Sequence, residues 1–306
     1  MNLKLIKKII EIGRFRFLAG GFFLYCMGAL LASVYRGEFS FFLFFVGYTI
    51  MMPAHLSLSY SNNYFDQHVD QYNTPVSISG GTKILIEHPE LRQVSKYIAI
   101  GLILISVFIA CVVVIFLNYS GWFFGFIVFG NLVGWFYTAP PLRLAYRGFG
   151  ELANMINMGF LMPGIGYWMV NGSIDTFYII FAFAFLLYGF EFMIIVESPD
   201  MEGDRLGHKH TLIASKGRRF GYQLLLIAVL LSSLYYLTIS ILGIYQNYVN
   251  FFVIFLFSLI PAVFALLGWY QQPFKKKIST KIAQRNMKIL ILFVILIDVY
   301  FVFMIS

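Results

Sequence analysis

Apolar residues fall in long uninterrupted blocks along this chain, without the period of two expected of half-buried strands. Nine blocks reach the roughly 20 residues a bilayer-spanning helix needs, at about 15–35, 41–63, 95–117, 121–138, 149–170, 176–197, 220–242, 248–270 and 288–306. Ahead of them, Leu5, Ile6, Ile9 and Ile10 interleave with Lys4, Lys7, Lys8 and Glu11 at helical spacing. That pattern predicts an amphipathic helix over 1–14, lying on an anionic membrane surface. The first spanning block is expected to be retained, because no small-residue cleavage site follows it. The pattern predicts an all-α, polytopic membrane protein occupying residues 1–306 as one domain.

Composition agrees: 60% of the 306 residues are hydrophobic and 12% charged, about half the roughly 25% typical of soluble chains. A net charge of +8 would suggest nucleic acid in a soluble protein. Its distribution excludes that partner here. With nine crossings, 21 of the 22 Lys and Arg residues fall on one side and only Arg36 on the other. The positive-inside rule then makes the N-terminus cytoplasmic and the C-terminus opposite, in a multi-pass cell-membrane protein. Connections on the far side are short and nearly uncharged, so chemistry is expected at the cytoplasmic face. Cys26 and Cys111 sit inside apolar blocks, where thiols pack as small hydrophobes.

Two acidic groups stand out on that face. Asn62, Asp66 and Asp70 are spaced four apart at the end of the second block, and Glu197, Asp200 and Asp204 close the sixth. On continuing helices each group forms one stripe. The groups are four spans apart, with equal offsets from Asp66 to Asp200 and from Asp70 to Asp204, as a parallel pseudo-repeat would place them. Carboxylates this close repel one another and call for a cation. Hard oxygen ligands suit Mg²⁺, which binds through one or two carboxylates together with substrate phosphates. Asn62, Asp66, Asp70, Glu197, Asp200 and Asp204 are the candidate metal ligands, with a diphosphate held between the groups.

The pattern Asn62-x-x-x-Asp66-x-x-x-Asp70 with Asp200-x-x-x-Asp204 resembles the paired aspartate motifs of the UbiA superfamily of intramembrane prenyltransferases. The resemblance extends over essentially the whole chain. It implies nine transmembrane helices around a central cavity, with Mg²⁺ and a prenyl diphosphate under a cytoplasmic cap. Asn63, where many members carry Asp, is a departure outside the core pattern. The loop after Asp70 lacks the Arg-Pro element of hydroxybenzoate and glyceryl phosphate transferases. Ser79-Gly80-Gly81 and the stretch from Tyr137 to Glu151 look more like the dihydroxynaphthoate and UBIAD-type quinone branch, which implies a lipophilic aromatic acceptor and menaquinone-type quinone biosynthesis.

A diphosphate also needs cations. Lys83, Arg143 and Lys209 are favoured, with Arg147, Arg205 and Arg16 as further candidates; Lys275, Lys276 and Lys277 are ordinary positive-inside residues. Tyr137, just before Pro140-Pro141, could stabilise positive charge on an allylic carbon. Glu191, six residues before Glu197 and so roughly 9 Å deeper, is a candidate for orienting or deprotonating the acceptor. Catalytic roles are thus expected of Asp66, Asp70, Asp200, Asp204, Tyr137 and Glu191. Asp298 is expected to be structural, and His208 and His210, without a third ligand, solvent-exposed. Competing readings are prenyl transfer to a glyceryl phosphate and ion-coupled secondary transport. Transport sites tend toward the bilayer midplane, whereas these acids gather at one face. A CDP-alcohol phosphotransferase would need an Asp-Gly-x-x-Ala-Arg pattern, which is absent.

Overall fold

A computed structural model describes residues 3–79 and 81–305; Gly80 lies outside them. The amphipathic segment forms α1 (Leu3–Ile12), followed by the long helices α2 (Arg16–Arg36) and α3 (Phe41–Phe65). Short helices α4 (Gln67–Asp70) and α5 (Ile84–Glu87) lead into α6 (Arg92–Phe116) and α7 (Gly121–Thr138). Then come α8 (Gly150–Ile156), a π-helical stretch (Asn157–Leu161), α9 (Met162–Asn171) and α10 (Thr176–Glu197). After α11 (Met201–Leu206) and α12 (Leu212–Lys216), the chain ends with α13 (Arg218–Ile241), α14 (Phe251–Tyr270) and α15 (Lys276–Ile305). No strand occurs among the described residues.

Eight of these helices are long and apolar enough to cross a membrane. The remaining expected block, 149–170, is helical but divided: α8 and α9 are joined through the π-helical stretch. The last helix starts twelve residues before the expected 288. Its first turns bury Ser279, Ile282, Ala283 and Asn286 while Lys281 stays exposed. A charged face on an amphipathic helical end breaks the apolar block without breaking the helix.

Helix ends follow local chemistry. Ser40 and Asp175 cap α3 and α10, their side chains accepting from Leu43 N–H and Tyr178 N–H. Gly37, at φ 77°, closes α2 in the left-handed region. Between spans, close backbone approach replaces hydrophobic driving force. Gly28 of α2 lies against the Pro163 carbonyl and Gly166 of α9 against that of Tyr25, leaving no room for a Cβ at either. One apolar cluster runs through the bundle from Leu24 to Phe301. The short helices α4, α5, α11 and α12 all follow or precede the ends of long helices at one end of it. α1 packs there too, Tyr60 Oη donating to the Ile9 carbonyl at 3.1 Å.

Candidate functional site

The two aspartate motifs adopt the same local form. Asp66 ends α3 and precedes α4, and Asp70 N–H donates to its carbonyl at 2.9 Å. Asp200 likewise precedes α11, and Asp204 N–H donates to its carbonyl at 2.9 Å. The expected continuous stripes are therefore broken at each first aspartate, where the chain turns into a short helix. Pro199, which cannot continue an α-helical ladder, accounts for the second break.

The breaks fold the four carboxylates over the mouth of one cavity of about 620 Å³, lined also by Asn62, Glu197, Lys209 and Tyr137. Cross-links join the two halves. Ser79 Oγ donates to Asp200 at 3.3 Å, and Asn73 Nδ2 to Asp204 at 3.5 Å. Lys209, just after α11, reaches back to Asp66 Oδ2 at 2.9 Å, while Tyr146 Oη donates to Asp66 Oδ1 at 2.6 Å. Gly81 N–H donates to Asp70 Oδ1 at 3.2 Å, in a place where any Cβ would strike the carboxylate.

Electrostatics record the crowding. Burial, then the charge of Asp66, pushes the Asp70 carboxyl up to about 8. Burial also lifts Asp204 to about 7, with Lys209 pulling the other way. For Lys209, burial is the largest influence and opposes its charge, yet Asp66 and Asp204 outweigh it and hold the ammonium well above its ordinary value. Both Glu197 oxygens are buried without a hydrogen-bond partner. Among the described residues, no three His, Cys, Asp or Glu side chains form a ready-made metal cage. Paired carboxylates that repel one another at a polar cavity mouth, with further oxygens unspent, fit a hard cation that completes its shell with water and phosphate oxygens.

The loop carrying Asp200 and Asp204 is anchored from behind. Arg218, 2% exposed, donates through both terminal nitrogens to Glu202 at 2.6 Å and through Nε to the Ser198 carbonyl at 2.7 Å. These contacts bracket Asp200 on either side.

Several expected residues lie elsewhere. Lys83 caps α5 and does not line the cavity. Arg143 stacks over Tyr146 at 4.2 Å, Arg147 donates to the Pro141 carbonyl, and Arg205 to that of Ala214; none of the three lines the cavity. Arg16 and Lys209 do. Glu191 is 1% exposed and off the cavity, because the cavity-facing residues of α10 are Phe185, Tyr188, Gly189, Phe192, Met193, Val196 and Glu197. Helical rise gave its depth, but helical phase turns it away. Asp298 is buried in α15, also off the cavity, while His208 and His210 are exposed.

The sequence reading missed Arg14, Asn73, Ser79 and Tyr146 as individual site members. Arg14 lines the cavity at the α1–α2 corner with φ 48° and an unpartnered, buried Nε. Its nearness to Arg16, and Tyr146 lying between the two singled-out arginines, were the available signals.

Solved structures share this architecture. A UbiA homolog from Archaeoglobus fulgidus, bound to DMAPP and Mg²⁺, superposes with a TM-score of 0.69 at 14% identity, over 95% of this chain and 98% of that one. A structure concerning digeranylgeranylglyceryl phosphate synthase in membranes gives 0.63 at 16% identity, over 97% and 100%. The apo UbiA homolog from Aeropyrum pernix K1 gives 0.62 at 14%, over 88% and 96%. No curated protein matches the chain. The UbiA prenyltransferase family model, however, matches residues 22–292, and the chain belongs to that family.

Proposed function

We propose that the protein transfers an isoprenyl group from a prenyl diphosphate to a lipophilic aromatic acceptor of the quinone or naphthoate type, with Mg²⁺. The observation that carries this reading is the gathering of Asp66, Asp70, Asp200 and Asp204, with Lys209, over a single cavity whose deeper wall is apolar. Its fold neighbours bound to DMAPP or GPP with Mg²⁺ support the donor class and the metal. The aromatic acceptor rests on the loop from Asp70 to Gly81 and on Gly148-Phe149-Gly150-Glu151.

In this reading Asp66, Asp70, Asp200 and Asp204, with Asn62 and Glu197 beside them, hold the metal, which supplies charge neutralisation for the departing diphosphate. Lys209, Arg14 and Arg16 bind diphosphate oxygens directly. Tyr146 and Gly81 fix the carboxylates of Asp66 and Asp70. As the bond from C1 to oxygen breaks, Tyr137 presents its ring to the developing positive charge. An aromatic carbon then attacks C1 and loses a proton or a carboxyl group, and pyrophosphate leaves. Phe185, Phe192 and Met193 keep water from the reacting carbon. The basic asymmetry assigns the site and N-terminus to the cytoplasmic side, the C-terminus to the other, and α1 to the membrane surface.

Membranes containing the protein should convert geranyl diphosphate and 1,4-dihydroxy-2-naphthoate to a prenylated product, read by mass spectrometry, and Asp66→Ala should not. Prenylated glyceryl phosphate without any prenylated aromatic would overturn the acceptor class. Absence of any prenyl transfer, with no thermal stabilisation by Mg²⁺ and geranyl diphosphate, would overturn the reaction.

A further inference from the structure

Below the carboxylates, one polar side chain in the cavity wall has no part in the chemistry above. His55 lies seven residues before Asn62 on α3, so the helical rise sets it roughly 10 Å deeper on the same face. Its ring lines the main cavity and also a second, small void of about 40 Å³ between α3, α7 and the π-helical stretch. Gly21 of α2 makes the space for it, since a Cβ there would collide with the imidazole.

His55 Nδ1 is buried against Gly21 of α2 and has no hydrogen-bond partner among the described residues. With that edge of the ring turned to α2, Nε2 is the nitrogen left for a ligand.

We propose that His55, its ring seated against Gly21 of α2, hydrogen-bonds a ring oxygen of the aromatic acceptor through Nε2 and so holds the reacting carbon beneath the diphosphate. The inference rests on the aromatic-acceptor reading above. Leu58, Met158 and Met193 share the cavity wall with His55. A prenyl tail would gain nothing from an imidazole there, whereas a phenolic or quinone oxygen gains a partner in a dry setting. His55 touches the acceptor.

The test uses the full-length protein in nanodiscs with Mg²⁺, geranyl diphosphate and 1,4-dihydroxy-2-naphthoate. His55→Leu should raise the KM for the naphthoate about tenfold, the scale of one lost hydrogen bond. It should leave the KM for geranyl diphosphate and the thermal shift from Mg²⁺ with geranyl diphosphate as in wild type. His55→Gln should restore part of the loss. A naphthoate KM in His55→Leu within about twofold of wild type, or both KM values rising together, would overturn the inference. If the leucine variant is not recovered folded, His55→Phe is read by the same criteria. A wild-type protein that prenylates no aromatic acceptor would instead refute the functional reading, and the His55 role with it.

Discussion

Replacing Lys209 with glutamine separates the two duties that the site gives this side chain. Without ligand its ammonium is the counter-ion of Asp66, at 2.9 Å, with the two side chains 13% and 10% exposed. Removing one partner of a largely buried pair costs about 3–5 kcal/mol. The slight exposure and the remaining Tyr146 hydrogen bond argue for the lower end, about 3 kcal/mol, or roughly a hundredfold in an equilibrium constant. A metal ion reaching Asp66 in the wild type must displace the ammonium, and in the variant it need not. Mg²⁺ alone should therefore bind the variant more tightly, by up to about a hundredfold. With geranyl diphosphate present the sign reverses, because the released ammonium would have neutralised the diphosphate. Transfer should fall by about 10²–10³, as when one charge-stabilising donor is lost. Thermal unfolding in detergent, without ligand, with Mg²⁺ alone and with Mg²⁺ plus geranyl diphosphate, reads all three states. If Mg²⁺ alone stabilises Lys209→Gln no more than wild type, the ammonium is not competing for Asp66 and the reasoning fails.

Three other outcomes are expected. Tyr146→Phe removes the 2.6 Å hydrogen bond to Asp66; a bond to a charged group is worth about 1.5–3 kcal/mol, so the Mg²⁺ concentration for half-maximal activity should rise at least several-fold, and an unchanged Mg²⁺ titration would contradict the assignment. Glu191→Gln should keep transfer within about threefold of wild type, the range of a residue outside the cavity, whereas a hundredfold loss of kcat would return it to the acceptor site. Finally, Asp70 and Asp204 carry folded values of about 8 and about 7 against an ordinary 3.8. Raised carboxyl values mean that the folded chain binds more protons than the unfolded one between those limits. Their contribution to stability is whole below about pH 4 and is lost as pH rises through about 7–8. The metal-free melting temperature should accordingly drop across that rise, and Mg²⁺ with geranyl diphosphate should flatten the profile. A metal-free profile that is flat or rises there would show that burial and neighbouring charge do not raise these two carboxyls.

The spanning helices were legible because twenty consecutive apolar residues leave few alternatives, and the aspartates because charge is scarce in such a chain. What could not be read was phase. Glu191 and Val196 differ by five positions on one helix, and only packing decides that Val196 lines the cavity and Glu191 does not. Four of the six candidate cations lie off the cavity, unlike Arg16 and Lys209, for a related reason. Sidedness puts Lys83, Arg143, Arg147 and Arg205 at the right end of the bundle, but loop geometry turns Arg147 and Arg205 onto nearby carbonyls and Arg143 onto a ring. Tyr146 was hidden among 20 tyrosines; nothing local marks the one whose hydroxyl meets a carboxylate 80 positions away.

The π-helical stretch at Asn157–Leu161 bears on how this span tolerates change. A π turn holds an additional residue, so the surfaces before and after it are rotated relative to an unbroken α-helix. Upstream, Asn154 looks into the large cavity, as does Met158 within the stretch; downstream, Gly164 packs under the rings of Phe126 and Tyr178 and Gly166 meets the α2 backbone at Tyr25. The span is thus two keyed surfaces joined by a slip in register. Deleting one residue within it would straighten the helix while misaligning whichever surface lay beyond the deletion. Substitutions on one surface, by contrast, can accumulate without disturbing the other, so the ligand-facing half is free to diverge while the packing half stays locked.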